Sequence, residues 1–109
     1  MGMRAGRLNR QVIIKEPIVT GHDTAGAEEI EFLVFAKPWA RVDIISGSER
    51  WANEHVATKY DAVVTIRYRE GLQENMRVHD GDRVLEIKAF FDPYSNKTEL
   101  KLLCTDYGN

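Results

Sequence analysis

Alternation with a period of two residues runs through most of the chain, and the 3.6-residue period of an amphipathic helix is scarce. Val12, Ile13 and Ile14 form a short β-branched run that Pro17 is expected to stop, and a polar, glycine-bearing loop from Thr20 to Ala27 follows. The stretch from Ile30 to Val42 places Ile30, Phe32 and Val34 on one face and Leu33 and Phe35 on the other. Apolar residues on both faces imply a strand covered on both sides, or one that gains a cover on assembly. Pro38 has no N–H to donate, so it should fall at an edge, a bulge or a break. Ala62 to Arg69 is the clearest strand, with Ala62, Val64, Ile66 and Tyr68 opposed to Val63, Thr65, Arg67 and Arg69; Glu70-Gly71 ends it. Met76 and Val78 lead into His79-Asp80-Gly81-Asp82, and Arg83 to Phe91 leads out with Leu85, Ile87, Ala89 and Phe91 on one face. Asp-Gly marks a tight hairpin because it supplies positive φ. A second turn at Asp92–Asn96 precedes a last strand, Glu99 to Thr105, with Leu100, Leu102 and Cys104 on one face.

Only one segment reads as helix. Ser48 suits an N-cap, Glu49 the first turn, and Arg50, Trp51, Ala52, Asn53 and Glu54 the body. Such a helix of about two turns needs tertiary support to persist. The sum is a mainly β fold: a small barrel of about six strands with one short helix, since closure removes exposed strand edges. The loops Thr20–Ala27 and Asp43–Tyr60 are polar and Gly- or Ser-bearing, which favours mobility. The 109 residues suit a single domain, 1–109.

Composition narrows the function more than the fold. A net charge of −2 provides no bulk basic field to hold nucleic acid through its phosphates. Cys104 is the only cysteine, so no internal disulfide or thiolate metal centre can form, and its place beside Leu102 and Leu103 marks a small buried hydrophobe. No apolar run follows Met1–Arg7, so no signal peptide is expected, and no stretch approaches the roughly 20 apolar residues that span a bilayer.

Candidate chemistry is thin. His22, His55 and His79 lie in separate loops or strand ends without ligand spacing, so no metal is expected and the histidines read as exposed polar residues. Ser46-Gly47-Ser48 lacks the Lys-Ser/Thr of a phosphate loop, and no G-x-S-x-G elbow occurs. The pairs Glu28-Glu29 and Asp80 with Asp82 sit in loops and turns, where nothing raises a carboxyl pKa for acid–base work. The chain is expected to be no enzyme and to carry no cofactor. Arg67 and Arg69, with Arg77 and Arg83, form either a basic stripe or a solvated face salted by Glu70, Asp82 and Glu86. Trp39, Phe32, Phe35, Phe90 and Phe91 read as core. Trp51 beside Arg50 has the composition of a partner contact, a reading the sequence leaves open.

A resemblance unites these pieces. Arg4-Ala5-Gly6-Arg7-Leu8-Asn9-Arg10, the run Gln11–Ile14, Trp39-Ala40-Arg41-Val42 with Ile44-Ile45-Ser46-Gly47-Ser48-Glu49, Thr65–Arg69, the hairpin around Gly81 and the final Leu100–Cys104 strand stand in a fixed order. In that order and spacing the chain resembles phage head–tail joining (head closure, head–tail adaptor) proteins over nearly its whole length. The resemblance implies a structural protein of a bacteriophage or prophage, added beneath the portal and adaptor ring after DNA packaging. It implies a ring that helps close the exit channel and offers a surface for tail attachment, with packaged DNA nearby but no sequence-specific binding and no membrane. The location implied is the host cytoplasm during assembly, then the virion's head–tail interface.

Ordering mobile loops costs about 1–2 kcal/mol per residue, so a monomer in dilute solution and a ring on the connector are expected. Candidate assembly contacts are Glu49, Arg50, Trp51 and Glu54, with Arg67 and Arg69 as an intersubunit or channel-facing surface. Two other readings remain: a small barrel that binds single-stranded nucleic acid, which requires exposed aromatics beside a basic groove, and a tail-side completion protein of related fold.

Overall fold

The structure, a computed structural model, describes residues 8–45 and 60–107. The expected helix at Ser48–Glu54 lies outside the described residues, and within them the regular structure is all β. Eight strands form one antiparallel sheet: β1 (Arg10–Gln11), β2 (Ile13–His22), β3 (Glu28–Ala36), β4 (Trp39–Ile44), β5 (Ala62–Arg67), β6 (Arg77–Asp80), β7 (Arg83–Phe91) and β8 (Glu99–Asp106). Their order is β1-β4-β5-β8-β7-β6-β2-β3.

The sheet curls on itself because one stretch of chain serves both of its ends. β1 pairs with β4, and after Val12 alone the chain continues as β2, whose Ile13–Lys15 pair with β6. Val12 donates its N–H to Pro38 O (3.1 Å), stitching the junction. The concave side holds Val12, Ile14, Ala40, Ala62, Val64, Ile66, Val78, Leu85, Ile87, Leu100, Leu102 and Cys104, with Leu72 and Met76 closing one end. On β5 and β8 the inward set read from sequence is the one observed, although Thr65 and Glu99 on the opposite face are buried as well. Cys104 is fully buried, and burial pushes its thiol pKa up to about 12, so it is an inert core residue.

The expectation of about six strands undercounts because two long runs are each divided. Lys37-Pro38 breaks Ile30–Val42 into β3 and β4, the role expected of Pro38. Pro17 does not stop its strand. It lies two residues past Lys15, the last residue of β2 paired with β6, so its missing N–H costs no ladder bond on that side.

Two bulges redirect side chains. In β7, Ile87 pairs with Cys104 and Ala89 with Leu103, which leaves Lys88 unpaired and flips the alternation. Phe90 therefore packs against the core while Phe91, expected there, is 46% exposed. In β3, Ala36 pairs with Ile14 and Val34 with Lys15, so Phe35 is the extra residue and turns onto the core.

Turns follow the glycines and Asx side chains. The β6–β7 hairpin turns at Gly81-Asp82 between the paired Asp80 and Arg83, and Gly81 takes φ +61°. Glycine thus occupies the first of the two turn positions, where a type II′ turn requires positive φ. Asp92 holds the β7–β8 turn by accepting from Tyr94 N (3.2 Å) and Lys97 N (2.8 Å). Those backbone hydrogen bonds, from Lys97 first, hold its carboxyl below the ordinary aspartate range.

Candidate functional site

The largest feature not absorbed by the core is an arm. Beyond Lys15, β2 has β3 as its only partner, and the two strands run on as a hairpin past the end of β6. The molecule measures 51 × 30 × 26 Å. Of the segment Thr20–Ala27, expected as a loop, Thr20–His22 belong to β2 and Asp23–Ala27 form a tight tip. His22 pairs with Glu28, and Asp23 Oδ1 accepts from Ala25 N and Ala27 N (both 2.9 Å). Gly26, with φ +90°, completes that turn.

Register decides what the arm displays. Residues directly opposite in an antiparallel pair share a face, so Lys15/Val34, Pro17/Phe32 and Val19/Ile30 form three successive rungs on one side. Val19 is 49% exposed, Ile30 54% and Val34 51%. The other side carries Glu16/Leu33 and Ile18/Glu31, followed by Glu29. One face is therefore aliphatic and the other acidic, and both are open to solvent over most of their length. Of the two alternatives the sequence offered for Ile30–Val42, the first does not hold for its first half, where Ile30, Leu33 and Val34 are exposed among the described residues.

The base of the arm is clamped. Arg77 of β6 lies opposite Lys15, and its guanidinium sits between the rings of Phe32 (3.7 Å to the centroid) and Tyr107 (3.8 Å). A cation between two aromatic faces is worth about 0.5–2 kcal/mol per contact. The stack ties arm, β6 and the chain after β8 together. Arg77 is thus a positioning group rather than part of an open basic stripe. His79, two residues further along β6, has its pKa lowered from 6.5 by burial, then by Lys15 and Arg77.

Around the arm's base, the same end of the sheet is basic and aromatic. Gln11 pairs with Trp39, and the ends of β5 and β8 meet at Arg67 and Glu99. Trp39, expected in the core, is 55% exposed because it faces away from Ala40 and Val42, which point inward. Lys37, Arg67, Arg69 and Lys97 are exposed at this end, and none has an ion-pair partner among the described residues. Tyr94 is exposed here too. Arg67 and Arg69, chosen from sequence, thus fall in one patch, whereas Glu49, Arg50, Trp51 and Glu54 lie outside the described residues. The arm and Trp39 are not legible as exposed because an exposed apolar strand and a core strand share one composition.

At the opposite end, Arg10, Val42, Ile44, Asp80, Gly81, Asp82 and Arg83 line a cavity of about 420 Å³. Arg10 donates Nε and Nη2 to Asp80 Oδ1 (3.0 and 2.7 Å), an ion pair that braces β1 against the β6–β7 turn. Among the described residues no group of three His, Cys, Asp or Glu could hold a metal ion, and no helix is long and apolar enough to cross a membrane.

Comparison with known proteins agrees with the fold. Residues 3–106 match the sequence family described as phage head completion protein. No curated protein matches the sequence significantly. The solution structure of a Shigella flexneri 2a protein is similar with a TM-score of 0.73 at 24% identity, covering 98% of this chain and 99% of that one. A chain in the virion of a native gene transfer agent particle is similar with a TM-score of 0.67 at 21% identity, covering 90% and 93%. At such identities both likenesses bear on the fold alone.

Proposed function

The chain belongs to the phage head completion protein family, and on that premise we propose that it is added to the DNA-filled head beneath the portal and adaptor ring, helps close the exit channel and presents the surface on which the tail docks. Its work is structural, in the head–tail connector, and its partners are other head and tail proteins. The observation that carries the finer reading is the arm: a hairpin whose one face displays the half-exposed Val19, Ile30 and Val34 beside Pro17 and Phe32, anchored at its base by the Arg77 stack. Isolated chains rarely leave so continuous an apolar strip uncovered. A preformed ring of adaptor subunits would cover it and supply high local concentration, so a contact too weak to hold free monomers suffices on the head. Glu49, Arg50, Trp51 and Glu54 belong in this reading as further assembly contacts, by their composition.

The test uses DNA-filled, tailless heads from a strain lacking the gene. Purified protein added to them should co-sediment and make them competent to accept tails. Heads that fail to retain it, while accepting tails once another connector protein is restored, would move the role to the tail side.

A further inference from the structure

The aliphatic face of the arm is not its only unusual feature: the charge of the chain is divided unevenly. Lys15–Val34 carries one lysine and five carboxylates, a net charge of −4, so the remainder carries +2. The arm's acidic face displays Glu16, Glu29 and Glu31 around Ile18 and Leu33. The rim at its base displays Lys37, Arg67, Arg69 and Lys97 beside Trp39. Glu70 and Glu74 also lie on the connection between β5 and β6, while at the same end Glu99 is buried and the Asp92 carboxylate is turned to backbone N–H groups, which leaves the cations in excess among the exposed charges. Neither the three carboxylates nor the four cations make ion pairs among the described residues. The two patches are complementary in charge, and each offers exposed apolar side chains, yet the arm leaves the body from within the rim and carries its carboxylates away from it.

We infer that the acidic face of the arm lies across the Arg67–Trp39 rim of a second copy of this chain. The reach fits: the seven residues from Glu16 to His22 extend roughly 24 Å at strand rise, against transverse dimensions of 30 and 26 Å. Donor and acceptor patches differ, so the contact is heterologous, and repeated from copy to copy it generates a closed ring or a filament. The aliphatic face stays free for the neighbouring ring. The inference rests on the proposed connector role and names one partner of that same surface.

Charge reversal tests it in assembling particles. Glu29→Lys with Glu31→Lys, and separately Arg67→Glu with Arg69→Glu, should each lower the yield of infective particles by about tenfold or more, because like charges then meet. All four changes together should restore most of that yield. Each substituted side chain is exposed, and melting curves of the purified variants confirm that they fold. If a reversed pair does not fold, the single changes Glu31→Lys and Arg67→Glu take its place. Two defective pairs with no rescue would overturn the inference, and so would two pairs without effect. A defect confined to the rim pair would overturn it as well and point to DNA phosphates as what the rim meets. A deletion strain run in parallel separates the two claims: full infectivity without the gene removes the connector role itself, whereas a defect in the deletion with no rescue removes only this contact.

Discussion

Replacing Val19, Ile30 and Val34 together by threonine should weaken head binding by up to about a hundredfold while leaving the fold intact. Threonine keeps the β-branched shape that strands favour, and each site is solvent-exposed, so each change should alter stability by no more than about 0.5 kcal/mol. The cost appears on assembly. Each side chain is close to half exposed, at 49, 54 and 51%. Fully burying such a chain is worth about 1.5–3 kcal/mol, so covering the remaining half contributes about 1 kcal/mol per site. Losing that at three sites amounts to about 3 kcal/mol, roughly a hundredfold in affinity. The assay is sedimentation of labelled protein with DNA-filled tailless heads, beside a urea melt of the free chain. Unchanged head binding by the triple variant, with an unchanged melt, would show that this face is not what docks.

Three further outcomes follow from particular residues. Gly71→Ala should destabilise the chain by about 1–3 kcal/mol, since alanine is strained at its φ of +94° and the new Cβ would lie 3.1 Å from Phe35 Cζ; a urea melt reads this, and an unchanged midpoint would refute it. Arg77→Ala should loosen the arm at its root, seen as faster amide exchange across β2 and β3 with β5 and β8 unaffected; uniform protection would show that the stack does not hold the arm. His79 has a lowered pKa in the folded chain, so its contribution is present above 6.5 and is lost as pH falls below that value toward the folded pKa. Acidification through this window should therefore destabilise the native protein more than a His79→Gln variant, and equal losses in paired urea melts would refute the assignment.

The parts of the fold legible in the sequence are those where one face is core and the other water. On β5 and β8 the positions read as inward all face the core, Cys104 reads as buried, and Pro38 reads as a break. Bulges escaped, because one extra residue at Lys88 or Phe35 reverses every later side chain without altering composition. That is how Phe91 comes to face solvent while Phe90 stays on the core. Pro17 reads as a stop in sequence because its tolerance depends on which neighbour lacks a partner, a fact of topology rather than of local sequence. The arm was hidden for a different reason: Ile30, Phe32 and Val34 satisfy the pattern of a core strand, although Ile30 and Val34 are half exposed. Of the residues chosen as contacts, Arg67 and Arg69 could be placed in a patch only once Trp39 was seen to face outward beside them.

The central claim is a location, and imaging assembled particles tests it most directly. A reconstruction of the head–tail junction from tailed particles should show this eight-stranded fold repeated around the channel between the portal assembly and the tail. A junction built without that fold, or the fold found elsewhere in the particle, would contradict the account.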